Sequence, residues 1–108
     1  MIRLDFREQA LINRVVAKRD LEEARQSIRH NSGDILIDIG SNVATTSWVD
    51  AFLAPLVASI DRPVTVIVDS NVTRSHIERV FQVRGGSVRV ARNEADAIRG
   101  AVDIIPAA

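Results

Sequence analysis

Two apolar runs constrain this chain more than anything else in it. ILIDIG (Ile35–Gly40) and VTVIV (Val64–Val68) are almost unbroken in β-branched and aliphatic residues, the pattern of strands buried on both faces. Between them Trp48, Val49, Phe52, Leu53 and Leu56 recur at helical spacing and would face a core. Two such strands joined by a helix form a βαβ unit, which makes the pair parallel with a right-handed crossover. The chain is therefore expected to be α/β, with sites beyond the carboxyl ends of its parallel strands.

Gly40 stops the first of these strands. Asn42, Thr45, Thr46 and Ser47 then place short oxygen-bearing side chains ahead of the helix, and Thr46 or Ser47 is the expected N-cap. Free amides and the helix dipole at such a turn favour negative charge, so an exposed hydroxyl there is also a candidate site. Trp48 has two readings, packing in the core or standing exposed as an interface anchor. Pro55 removes a backbone hydrogen bond inside the helix, which predicts an irregular helix that bends near Ala51.

Elsewhere, Ile2, Leu4 and Phe6 alternate with Arg3, Asp5 and Arg7, as in a half-buried edge strand. Ala10–Ala17 stays open between a second strand of a hairpin and the start of a helix, because no turn signal marks Arg7–Gln9. Ala17, Leu21, Ala24 and Ile28 then share a helical face, and Asn31 or Gly33 suits its C-terminus. After Val64–Val68, Ser70 or Asn71 is expected to cap a helix that buries Val72, Ile77, Val80 and Phe81 and closes at Arg84-Gly85-Gly86. Val88 and Val90 mark a short strand, and Asn93 caps a last helix with Ala95, Ile98 and Val102 inward. Asp103–Pro106 reads as a tail packed on the surface or as a pairing surface. The expectation is one domain over residues 1–108, a small sheet of about four strands with the central ones parallel, packed with about four helices.

Composition removes several function classes. At 108 residues there is room for one core, and 14 basic residues against 14 acidic ones, interleaved, argue against nucleic acid as a partner. With no cysteine, thiol nucleophiles, disulfides and Cys-ligated metals are excluded. No apolar run reaches the roughly 18 residues of a membrane span, and the start MIRLDFREQ lacks the apolar centre of a signal peptide, so no membrane is expected and the expected compartment is cytoplasmic. His30 and His76 have no histidine at metal-ligand spacing, no Ser-His-Asp order can be assembled, and Gly85-Gly86 follows a helix where a phosphate loop would precede one. Asp38 and Asp69, at the ends of central strands, suggest a receiver-like phospho-acceptor or divalent-ion site. The single lysine, Lys18, is far from where a receiver needs one, and Asp38 is expected to bond neighbouring amides instead. No catalytic residue, metal or cofactor is expected.

Three pieces of the chain are similar to STAS domains, the small α/β fold of anti-sigma-factor antagonists and of the cytoplasmic ends of sulfate transporters. They are ILIDIG (Ile35–Gly40) with Asp38 in its strand, TTSWVDAFLAPL (Thr45–Leu56), and SVRVARNEADAIRGAV (Ser87–Val102). SNVTRSHIERVFQVRGG (Ser70–Gly86) also resembles a family stretch, and the likeness spans about Leu11 to Val102. In the antagonists the central turn reads Asp-Ser-Ser-Gly and a serine is phosphorylated by a kinase that is also the binding partner. Here Thr45, Thr46 and Ser47 stand there, without the Asp and the Gly and with Trp48 at or beside the glycine site. Ser47 to Asp50 and LINRVVAKR (Leu11–Arg19) are more similar to a STAS-like group of uncharacterised function.

The resemblance implies a non-enzymatic regulatory module that binds a protein partner, a kinase or an anti-sigma-like protein. Its binding residues would be Asn42, Thr45, Thr46, Ser47, Trp48 and Asp50, with phosphorylation at Thr45, Thr46 or Ser47 as the switch. The alternative is a structural or assembly protein that pairs with a second copy as a homodimer, through the edge strand Ile2–Phe6 or the tail Asp103–Ala108.

Overall fold

Every strand of the sheet lies beside its neighbour in sequence. The order is β1 (Ile2–Asp5), β2 (Ile35–Gly40), β3 (Val64–Val68), β4 (Val88–Ala91) and β5 (Asp103–Ile105). The first four run parallel and β5 is antiparallel to β4. The computed structural model describes residues 2–7, 14–30 and 32–106, with the backbone alone at 14–18 and 20. The helical elements are α1 (Arg14–Arg29), α2 (Thr46–Trp48), a π-helical segment (Val49–Leu53), α3 (Ala54–Ala58), α4 (Asn71–Arg84) and α5 (Glu94–Arg99). Among the described residues no helix is long and apolar enough to cross a membrane.

Strand alternation divides the sheet into two unlike faces. Ile35, Ile37 and Ile39, with Val64, Val66, Val68, Val88 and Val90, join Ala24 and Ile28 of α1, Phe52 and Leu56, and Ile77 and Phe81 of α4 in one core. Fully burying a side chain of this kind contributes about 1.5–3 kcal/mol, so this face carries the fold. The opposite face has the row Arg3, Leu36, Thr65, Arg89, Ile104, one residue from each strand. Among the described helices the short α5 packs over it, and no residue of α5 is buried.

The small α/β architecture and its parallel centre are as expected, with five strands in place of four. The extra one is the tail segment Asp103–Ile105, which pairs with β4 and is held by an Arg74–Asp103 ion pair. Arg14–Ala17 is helical, which excludes a strand there, while residues 10–13 lie outside the described residues. The irregularity expected before Pro55 is present: Val49–Leu53 forms a π-helical turn, and Pro55 sits in the first turn of the α-helical segment after it. There the proline's missing N–H falls where the hydrogen-bond ladder changes register.

Three apolar positions were expected inward and are not. Val72 is 51% and Ile98 70% exposed, and Ala95 is exposed too, while Val102 is half-buried. Val72 lies on the solvent side of the face set by Ile77, Val80 and Phe81, and α5 is too short to close its side of the sheet.

Candidate functional site

The turn after β2 is held from both sides. Gly40, at φ +62°, takes a backbone conformation that L side chains rarely adopt, and an added Cβ would lie 3.2 Å from Cγ of Arg7. Beyond it the Asn42 amide donates to the carbonyls of Phe6 at 2.5 Å and Arg7 at 2.9 Å. From α4, the buried Thr73 hydroxyl accepts from the Ala44 N–H at 3.0 Å and donates to the Asn42 carbonyl at 2.9 Å. Nδ1 of His76 lies 2.8 Å from the Ala44 carbonyl, an acceptor only, so that nitrogen carries the proton. Thr45, in place of Thr46 or Ser47, is the N-cap of α2, its hydroxyl accepting from the Trp48 N–H at 3.1 Å. The cap lies one residue earlier than expected because Ala44 is buried and pinned, so the extended residue after it begins the helix.

These contacts sort the expected site residues. Thr45 and Ser47 are exposed, Thr46 is half-buried, and Asp50 is exposed and paired with Arg84 at 2.9 Å. Asn42 is spent on the clamp. Trp48 is fully buried against Phe6 and Phe52, with ring centroids 5.7 and 4.8 Å away, so it is a core residue and cannot anchor a partner. In its place the turn presents Val43, 49% exposed. Val72, His76, Arg79 and Val83 follow along one face of α4 at helical spacing, with Val83 83% exposed. Thr46 and Ser47 line one wall of a shallow groove, and Arg79 and Val83 line the other.

A second polar cluster occupies the carboxyl ends of β1 to β3 on the α5 side. Asp38 is 4% exposed, and its Oδ2 meets an Arg3 nitrogen at 2.5 Å and Nε of Arg7 at 3.6 Å. Arg3 also reaches Glu94 at 2.7 Å, and Arg7 reaches Asp5 at 2.7 Å. Hydrogen bonds from the Arg7 side chain, and then from its backbone N–H, hold the Asp5 carboxyl well below the usual carboxylate range. The same bond to Asp5 raises the Arg7 guanidinium, and the bond to Asp38 raises that of Arg3. Asp38 is thus bound by arginine side chains, not by the neighbouring amides expected for it. Asp69 is exposed, and among the described residues no three ligating side chains could hold a metal ion.

Thr73 carried no signal of its own in the sequence, and His76 and Arg3 were visible there without these roles. Thr73 and His76 sit one helical turn apart, at i and i+3, the only local hint that both face the same loop. Compared with known proteins, the chain matches no family model, no curated protein and no solved structure.

Proposed function

We propose that the chain is a non-enzymatic, STAS-like regulatory module that docks a protein partner through the turn after β2 and the adjoining face of α4. The observation that carries this reading is the pairing of a clamped backbone with exposed side chains. Val43, Thr45 and Ser47 stand in solvent on a turn fixed by Asn42, Thr73 and His76, beside exposed Val72 and Val83. A preorganised apolar surface loses little entropy on binding. Phosphorylation of Thr45, Thr46 or Ser47 would place a charge of about −1.5 to −2 on that contact and release the partner.

The test is incubation of the protein with ATP and lysate from its own source, followed by affinity capture and mass spectrometry. The expected result is one stoichiometric partner that is lost with Val83→Asp and Val43→Asp, together with phosphate on one of the three hydroxyls. A partner retained by both variants, or a turn left unmodified while the partner binds and leaves, would overturn the docking surface or the switch respectively.

A second reading, self-association, draws on Ile104, which is 49% exposed on the outermost strand β5. Light scattering separates the two. A dimer that Ile104→Glu dissolves favours assembly, and a monomer removes it.

A further inference from the structure

The charges at the carboxyl ends of β2 and β3 do not all cancel. Asp38 has one oxygen satisfied by Arg3, but its Oδ1 is buried without a hydrogen-bond partner. A buried polar atom left unpaired keeps its desolvation cost with no bond to offset it, so the position favours an incoming donor. That oxygen faces Gly40, where an added Cβ would lie 3.7 Å from Oδ1 and 3.2 Å from Cγ of Arg7, so the Arg7 side chain covers it. Gly40 and Asp38 line an open basin of about 360 Å³ with Ser41, Asp69 and Arg92. This is at the small end of ligand pockets, which run from about 300 to 1,000 Å³. Asp69 and Arg92 are both exposed, and neither forms an ion pair with another described side chain. An anion and a cation without ion-pair partners among the described residues therefore line one basin with a carboxylate whose second oxygen needs a donor.

We propose that this basin binds a small zwitterion of the α-amino-acid class, its ammonium group between Asp38 Oδ1 and Asp69 and its carboxylate on Arg92. An ammonium has three donors, enough for both carboxylates, and a guanidinium suits a planar carboxylate. Arg7, whose side chain is 54% exposed and whose Cγ covers that oxygen at Gly40, swings aside to admit it. The site is separate from the docking turn and stands or falls without it.

The probes are glycine, L-serine and L-lysine, each compared with its N-acetyl and its amide form, by calorimetry and by ¹H–¹⁵N spectra of the intact protein. The expected result is that at least one zwitterion shifts the amides of Ser41, Asp69 and Asn93. Blocking either charge, or making Asp69→Asn or Arg92→Gln, should weaken binding by about tenfold or more, a change of one charge-assisted contact. Both substituted residues are exposed, and an unchanged thermal midpoint confirms that the variants fold. The proposal is overturned if no zwitterion shifts those amides at millimolar concentration, or if an N-acetyl form binds as well as its parent.

Discussion

Asp5 and Asp38 are register partners in adjoining parallel strands, so two carboxylates stand opposite each other on one face of the sheet. Like charges so placed destabilise a sheet. Arg3 binds Asp38, and Arg7 binds Asp5 and approaches Asp38.

From that arrangement, Arg3→Met should lower stability more than Arg7→Met. Arg3 touches buried Asp38 at 2.5 Å, whereas Arg7 approaches it only to 3.6 Å. Adding Asp38→Asn to Arg3→Met should recover part of the loss, because the isolated buried charge is then gone. Urea midpoints of the four members of this cycle check it, and strict additivity would show that the pair is not coupled.

The Asp5–Arg7 contact makes stability pH-dependent in a definite direction. A carboxylate depressed on folding stabilises above its unfolded value, roughly 4, and that contribution is lost as pH falls through the unfolded value toward the lower folded one. Both side chains are about half exposed, so screening keeps the effect small and high salt should reduce it further. Thermal midpoints from pH 7 down to about pH 2, for the parent and for Asp5→Asn, should converge at the acid end. Curves that stay parallel would refute the coupling.

Thr73→Val tests the clamp on the turn. The shapes match, but the Ala44 N–H and the Asn42 carbonyl lose their partner, which should cost about 2 kcal/mol. Hydrogen exchange at Ala44 should rise well beyond what that global loss accounts for. An Ala44 amide still as protected as the core strands would mean the turn holds itself.

Trp48 reports on its own burial. Its emission should be blue-shifted and resistant to iodide quenching in the native protein, and Trp48→Ala should cost about 3–5 kcal/mol through the cavity left among Phe6 and Phe52. Red-shifted, quenchable emission would return it to the surface.

The parts legible in the sequence were those set by local pattern. Ile35–Gly40 and Val64–Val68 could be nothing but interior strands, and Pro55 announced the irregular turn before it. Asn93 and Ser70 are caps as expected, their side chains accepting from Asp96 and Thr73. What failed depends on contacts far apart in the chain. The inward side of α5 could not be read, because three apolar residues at helical spacing do not say that the sheet face opposite carries Arg3, Asp38 and Arg89. At the turn, hydroxyls marked the right place. Which of them caps was decided by Thr73, 29 positions away from Ala44. Trp48, by contrast, faces the core as its helical spacing with Val49, Phe52 and Leu56 implied, and what spacing did not show is its edge contact with Phe6, 42 positions away.

The strand order has one further consequence. Open α/β sheets usually bind nucleotides in a crevice where the strand order reverses, with helices parting to either side. Here the strands advance in a single direction and their order never reverses. Among the described strands there is therefore no switch point. Each strand is laid down next to the one just made, so the sheet can zip in the order of synthesis. The first strand pairs with β2 early, but one of its side-chain contacts waits for almost the whole chain: Arg3 meets Glu94 across 91 positions. That contact works as a clasp, fastening the opening strand to the final helix once everything between them is in place.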